Sequence, residues 1–212
     1  EGAARRGGTP TKYFERTGIF ESRVTAAHCT HVTAEDIHIL AVNGVTAVHC
    51  PSSNLKLGSG IAPVPEMLSA GVTVALGTDG ASSNNNLNMF EEMHLAGIIH
   101  RGVAMNPELT PASQILGMAT ESGAVGQGRQ NTGAIAVGKC ADLAMLNLDR
   151  PHLTPVHDIL SSLVFAAQSG DVEMTVVDGE IVYKNGEFLK FDIFRAVEKA
   201  GQAAKRIASE VG

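Results

Sequence analysis

Val72-Thr73-Val74-Ala75-Leu76-Gly77-Thr78-Asp79-Gly80 reads as a β-strand in which large and small side chains alternate, ending in a carboxylate at its C-terminal tip. Successive side chains leave a strand on opposite faces, so Val72, Val74 and Leu76 form a bulky face and Thr73, Ala75, Gly77 and Asp79 a narrow one. A narrow face suits the inside of a closed parallel sheet, and an acid at its rim suits a metal or a proton. In parallel α/β folds, catalytic groups gather where strands end and loops begin. Asp79 is therefore the leading functional candidate. Turn chemistry through Gly80 would explain the Asp-Gly pair, but not the small residues beneath it.

Two similar β-type runs precede this one, at residues 24–28 and 45–50, and each of the three is followed by a helical pattern. After the first, Thr33 reads as an N-cap with Asp36 at the third helical position, a capping box, and Asn43-Gly44 stops the helix. After the second comes a polar loop over 52–60, then a helix over 63–70 with Gly71 as its terminator. After the third, a Ser/Asn-rich stretch leads to a helix over about 87–100 capped by Asn86, and a further helix over 111–119 is capped by Thr110. Strand and helix alternating at this spacing is the rhythm of right-handed βαβ units with parallel strands.

From about Gly126 to Phe191 the pattern changes to strands and tight turns: 133–137, 143–148, 174–177 and 181–183, with Asp178-Gly179 and Asn185-Gly186 as hairpin signals. A helical stripe over 158–167 interrupts them. The chain closes on an amphipathic helix whose Val197, Ala200, Ala204, Ile207 and Val211 share one face, the pattern of a docking element.

Composition sets the outer bounds. The 212 residues are 44% hydrophobic, enough for a substantial core, and 16 basic against 22 acidic residues leave a net charge of -6. That balance steers the chain toward neither nucleic acid nor an anionic membrane, and aromatics at 4% without tryptophan argue against base-stacking surfaces. No apolar run approaches the roughly 20 residues of a membrane helix. Three cysteines with no close pairing fit a reducing compartment, so a cytoplasmic protein is expected. The chain opens at Glu1 without methionine and without an element pattern over its first ten residues, as either a C-terminal portion of a longer protein or a complete domain with a processed or trimmed N-terminus would.

The other two strands also end in polar groups. His28 follows Val24 and Ala26 on one face, and His49 follows Val45 and Ala47, which sets two imidazoles and a carboxylate at one level of adjacent strands. Imidazole and carboxylate are the ligands of hydrolytic zinc or iron sites. Plain alternatives stand beside this: each histidine could be a core residue bonded to backbone, and His28, Cys29, His31, His49 and Cys50 could form a structural zinc site, although alternation points each cysteine away from its neighbouring histidine.

The segments Ala26-Ala27-His28-Cys29, His49-Cys50-Pro51-Ser52-Ser53-Asn54-Leu55-Lys56-Leu57-Gly58 and Gly77-Thr78-Asp79-Gly80-Ala81-Ser82-Ser83-Asn84-Asn85 resemble the amidohydrolase superfamily. Within it they resemble the branch of 5'-methylthioadenosine/S-adenosylhomocysteine deaminases and triazine chlorohydrolases. Gly133-Ala134-Ile135-Ala136-Val137-Gly138-Lys139-Cys140-Ala141-Asp142-Leu143 resembles the superfamily's sandwich-domain segment. The resemblance implies an α/β fold: the C-terminal part of a (β/α)8 TIM barrel over residues 1–125, the C-terminal share of a small β-sandwich over 126–191, and a docking helix over 192–212. It implies one divalent metal, zinc or alternatively iron, with Asp79 as metal ligand and proton shuttle. His28 would steady the attacking water or the tetrahedral oxygen and contact substrate, and Asn54 would line the substrate pocket.

The family's His-x-His pair and its His-x-x-Glu are absent from the eight histidines, so the chain is expected to begin after the fifth barrel strand and to lack the remaining ligands. The implied reaction is hydrolytic release of ammonia from an adenine nucleoside thioether, S-adenosylhomocysteine or 5'-methylthioadenosine, by a protein inactive as this portion alone. Two rivals are a triazine chlorohydrolase or guanine-type deaminase on the same scaffold, and a non-catalytic half-barrel acting as an interaction module. A half-barrel leaves open sheet edges, so a homo-oligomer is expected.

Overall fold

The computed structural model describes residues 7–211, with side chains to residue 210. The expectation for the opening run falls partly outside them, at residues 1–6. Just beyond, where no element was expected, Pro10–Arg16 forms helix α1, with Thr9 accepting from the Lys12 backbone N–H and proline in the first turn. Proline there forgoes an N–H that would have had no partner anyway.

Three short parallel strands follow: β1 (Thr25–Ala27), β2 (Thr46–His49) and β3 (Thr73–Leu76), in the order β1-β2-β3. Each is shorter than its sequence pattern. Left-handed φ values at His28 and Asp79 end the first and third, and Pro51, with no N–H to donate, follows the second. Between β1 and β2 lies α2 (Ala34–Val42), opened by the expected capping box of Thr33 and Asp36.

Between β2 and β3 the expected 52–60 loop is instead largely helical. α3 (Pro51–Lys56) starts on proline and is followed by Gly58 at φ 67, and α4 is Val64–Ser69. After β3 come α5 (Ala81–Asn84) and α6 (Met89–Ala104). The cap of α6 is Asn88, accepting from the Phe90 N–H, rather than Asn86. α7 (Ala112–Ala119) starts after Pro111, and Thr110 donates to the Gly97 carbonyl of α6 instead of capping. α8 (Glu121–Gln127) was not foreseen.

The chain divides into two compact units. One runs to Lys139 and resumes over Leu148–Ser169, where α9 (Ile159–Phe165) is capped by Asp158. Its core joins Val45 and Ala47 of the β2 run with Val72, Val74 and Leu76 of the β3 run. The helices contribute Leu40, Met67, Met93, Ala96, Ile115, Met118 and Val164. Each such Val, Leu, Ile or Met side chain, once buried, stabilises the fold by roughly 1.5–3 kcal/mol. The bulky face of residues 72–76 thus packs against helices, as the alternation requires. On the other face, α8 covers the strands' N-terminal end: the Thr25 hydroxyl donates to the Gly126 carbonyl, and a Cβ at Gly126 would stand 2.9 Å from Thr46 Cγ2.

The other unit is an antiparallel sheet in the order β4-β5-β6-β7: β4 (Leu143–Leu146), β5 (Val172–Val177), β6 (Glu180–Lys184) and β7 (Glu187–Phe188). Both hairpin signals hold, with φ of 49 and 81 at Asp178-Gly179 and 48 and 91 at Asn185-Gly186. Positive φ at both central residues matches the twist of the flanking strands. The strand expected over 133–137 does not form; Ile135 and Val137 are exposed and no strand pairs with them among the described residues. The last helix, α10 (Ile193–Val211), forms as the apolar periodicity requires, and Phe194, Val197 and Ile207 on it are exposed.

Candidate active site

Strand register explains which side chains meet. Ala26, Ala47 and Val74 stand at one level, as do Val48 and Ala75, and His49 is level with Leu76. His49 therefore points with Leu76 into the helix layer, where it is 1% exposed and its ring lies 5.3 Å from that of His100 of α6, tilted by 44°. This corrects the expectation of three polar groups at one level, because His49 stands level with Leu76 and not with Asp79. By the same alternation His28 would follow Val24 and Ala26 into that layer. It does not, because φ of 70 at His28 breaks the alternation and turns the ring toward Asp79, itself at φ 61. His28 Nε2 lies 3.9 Å from Asp79 Oδ2, and both groups stand just past the C-terminal ends of their strands. That separation exceeds a hydrogen bond, yet one oxygen could stand about 2.8 Å from both atoms.

Asp79 is tightly held. Its Oδ2 accepts from Ser53 Oγ and Ser83 Oγ, both at 2.7 Å, and its Oδ1 from the Gly80 N–H at 2.7 Å. Donors aimed at a carboxylate favour its charged form. The Ser53 hydroxyl first, then Ser83, then the Gly80 amide lower the Asp79 pKa to about 2, with partial desolvation opposing and His28 assisting. At neutral pH this carboxylate is ionised and accepts only. That suits metal ligation, which requires a deprotonated ligand. It suits proton capture less, because a strong base is not made by lowering a pKa.

Asn54 departs from its expected position. It lies on α3 rather than on a loop, is 1% exposed, and its Oδ1 meets His28 Nδ1 at 2.8 Å. Among the described residues it packs behind the imidazole.

Sequence reasoning missed Ser53, Ser83 and Glu92. Ser53 and Ser83 belong to matching triplets, Ser52-Ser53-Asn54 and Ser82-Ser83-Asn84, each within a short helix after a strand, and that repeat was the available signal. Glu92 of α6 is 1% exposed and accepts from the Ser52 N–H at 3.1 Å and from Asn84 Nδ2 at 2.7 Å. It joins the two helices that carry the serines. Asn84 Nδ2 also donates to the Thr78 carbonyl at 2.7 Å, which fixes the turn before Asp79.

Among the described residues, no group of three His, Cys, Asp or Glu side chains could hold a metal ion. The structural zinc alternative built on His28, Cys29, His31, His49 and Cys50 is therefore not formed, and burial pushes the Cys29 thiol up to about 11, away from the thiolate that zinc requires. For a catalytic metal, Asp79 offers one ionised ligand where a stable site needs about three from protein. The residues present do not make a complete centre.

The sequence profile of the amidohydrolase family matches residues 2–182. The chain belongs to this family. It is 49% identical over 202 residues to a 5-methylthioadenosine/S-adenosylhomocysteine deaminase of Acetivibrio thermocellus, covering 95% of this chain and 47% of the relative. It is 44% identical over 203 residues to the deaminase of the same name from Pelotomaculum thermopropionicum, covering 96% and 47%. Among solved structures, a zinc-bound adenosine deaminase from Xanthomonas campestris superposes with a TM-score of 0.94 at 37% identity, over 98% of this chain and 47% of that one. Atrazine chlorohydrolase from Arthrobacter aurescens TC1, complexed with zinc, gives 0.89 at 33% identity over 94% and 45%. The chain spans about half the length of the curated relatives it matches. Within the family it is a mixed α/β chain with one parallel and one antiparallel sheet. No helix among the described residues is long and apolar enough to cross a membrane.

Proposed function

We propose that these residues form the C-terminal part of a metal-dependent hydrolytic deaminase acting on an adenine nucleoside thioether, S-adenosylhomocysteine or 5'-methylthioadenosine, in the cytoplasm. The three parallel strands are then the last three of a (β/α)8 barrel, and the antiparallel sheet is a share of a β-sandwich. The observation that carries the reading is the approach of His28 Nε2 to Asp79 Oδ2 at 3.9 Å, at the strand ends where such a barrel places its chemistry. The names of the similar deaminases support the substrate class, and the zinc-bound neighbours support zinc.

In this reading Asp79 supplies one metal ligand, and the others come from outside these 212 residues. A bound zinc would polarise water for attack on the amino-bearing ring carbon. Asp79 accepts the water's proton transiently, at a cost set by its low pKa, and His28 Nε2 holds the oxygen in line. Ammonia leaves.

The test is ammonia release from S-adenosylhomocysteine and 5'-methylthioadenosine by the intact polypeptide carrying these residues, loaded with zinc. Release that Asp79→Asn abolishes is the expected result. Turnover of a triazine or of guanine, with no ammonia from either thioether, would replace the substrate assignment. Inactivity on all of these, with clean folding of the 212 residues alone, would favour the interaction module.

A further inference from the structure

We infer that Asn54 is a positioning residue for His28: it fixes the imidazole as the Nδ1–H tautomer and leaves the Nε2 lone pair facing Asp79. The inference rests on the hydrolase reading above for its kinetic consequence, but not for its structural one.

Three observations carry it. First, Asn54 Oδ1 lies 2.8 Å from His28 Nδ1, and an amide oxygen placed there can only accept, so the contact calls for a proton on Nδ1. In a neutral imidazole one nitrogen donates and the other accepts, so Nε2 carries the lone pair. Second, Nε2 is the nitrogen directed at Asp79, 3.9 Å away. An oxygen bridging the two would donate one proton to the ionised carboxylate and one to Nε2, as a water about to attack requires. The opposite tautomer would set an Nε2–H toward the same oxygen and compete with proton loss to Asp79. Third, Asn54 is 1% exposed, while the His28 side chain is 42% exposed. The amide acts through the imidazole and not on substrate.

The backbone gives the contact its purpose. His28 and Cys29 have φ of 70 and 49, a left-handed pair that releases the ring from the strand. A ring freed in this way has no wall of strand neighbours to orient it. Asn54 is anchored on α3, with its backbone N–H bonded to the Cys50 carbonyl and its carbonyl accepting from the Ser59 N–H. A fixed acceptor on a rigid helix supplies the missing constraint, in the way that partners of ligating histidines fix ring orientation and tautomer.

The test uses the intact zinc-loaded polypeptide with 15N-labelled histidine. In the unsubstituted protein, ring-nitrogen shifts of His28, assigned through a His28→Gln control, are expected to be pyrrole-like at Nδ1 and pyridine-like at Nε2. Asn54→Leu, of similar size but with no acceptor, is expected to mix the tautomers. It should lower kcat by about 10- to 100-fold with KM within about threefold, the usual effect of losing an outer partner. Asn54→Asp keeps an acceptor oxygen in place and is expected to retain the Nδ1–H form, which separates this role from general damage to α3. An Nε2–H tautomer in the unsubstituted protein, or Asn54→Leu with unchanged ring shifts and kcat, overturns the inference. The functional reading fails separately, if the unsubstituted protein releases no ammonia while the tautomer is as described.

Discussion

Mild acid should destabilise this fold through one buried imidazole. His49 is 1% exposed, its ring tilted against that of His100, and among the described residues neither of its ring nitrogens has a hydrogen-bonding partner. Burial first, and the neighbouring His100 second, lower its pKa to about 3. The unfolded chain would titrate near the ordinary value of about 6.5. Between those values the unfolded state binds a proton that the folded state refuses, so stability is complete above about pH 6.5 and falls as pH falls toward 3. At about 1.4 kcal/mol per pH unit, a drop to pH 5 crosses roughly 1.5 units and costs about 2 kcal/mol. His100 acts in the same direction, since burial lowers its pKa too, while Glu66 of α4 opposes it. Asp79, Asp36, Asp158 and Glu180 have lowered pKa values, so what they contribute is lost only below about pH 5 and does not enter the comparison of pH 7 with pH 5.

The assay is urea unfolding of the intact polypeptide and of His49→Phe at pH 7 and pH 5, compared at equal m-values. Phenylalanine keeps a planar ring of similar size and cannot titrate. The unsubstituted protein is expected to lose about 2 kcal/mol more than the variant between the two pH values. Equal losses would refute the reasoning, because they would show that the folded core accepts the proton His49 is said to exclude.

Three further outcomes follow from the packing around the site. Gly77→Ala would place a Cβ 2.8 Å from Val48 Cγ1 and 3.5 Å from Cys50 Sγ, so the urea midpoint is expected to fall by the equivalent of about 1–3 kcal/mol, and an unchanged midpoint would mean that β2 yields freely. Ser53→Ala removes the strongest of the donors that keep Asp79 acidic, so a carboxyl 13C titration is expected to show the Asp79 pKa rising from about 2 toward the ordinary range, and no movement would assign the depression elsewhere. Glu92→Gln turns an acceptor of two buried donors into a group with one oxygen, leaving the Ser52 N–H or Asn84 Nδ2 unsatisfied; a loss of about 1–3 kcal/mol is expected in denaturant, and none would mean that α3 and α5 hold their positions without it.

The parallel sheet was legible because it rests on burial alone. Val72, Val74 and Leu76 have to go where apolar side chains go, and the period of two decides which residues go with them. The capping box at Thr33 and the two Xaa-Gly hairpins were legible for a similar reason: each is a local contest between backbone conformations, decided by residues next to one another. The α3 helix was not, because Ser52 to Gly60 carries the polar, glycine-rich composition of a loop. Its helical start depends on long-range support, the Glu92 carboxylate accepting from the Ser52 N–H. The 133–137 run failed in the opposite way. Its residues favour a strand, but a strand needs a partner, and sequence cannot show whether one is within reach.

The site was half legible, and the illegible half is the more informative. Alternation alone would have sent His28 into the helix layer beside His49, where it could do no chemistry. What rescues it is a left-handed backbone at a residue with a side chain, which costs of order 1–3 kcal/mol. Elsewhere in this chain such turns fall to glycine, as at Gly44, Gly58 and Gly71, and also to Asn85, Met105, Thr110, Asp178 and Asn185. At two strand tips on the same rim the chain keeps His28 and Asp79 in that conformation, and Cys29 beside the first. The strain is held by the Asn54 contact on one side and by three donors to Asp79 on the other. Backbone strain, its compensating bonds and the 3.9 Å approach thus converge on the same pair of side chains.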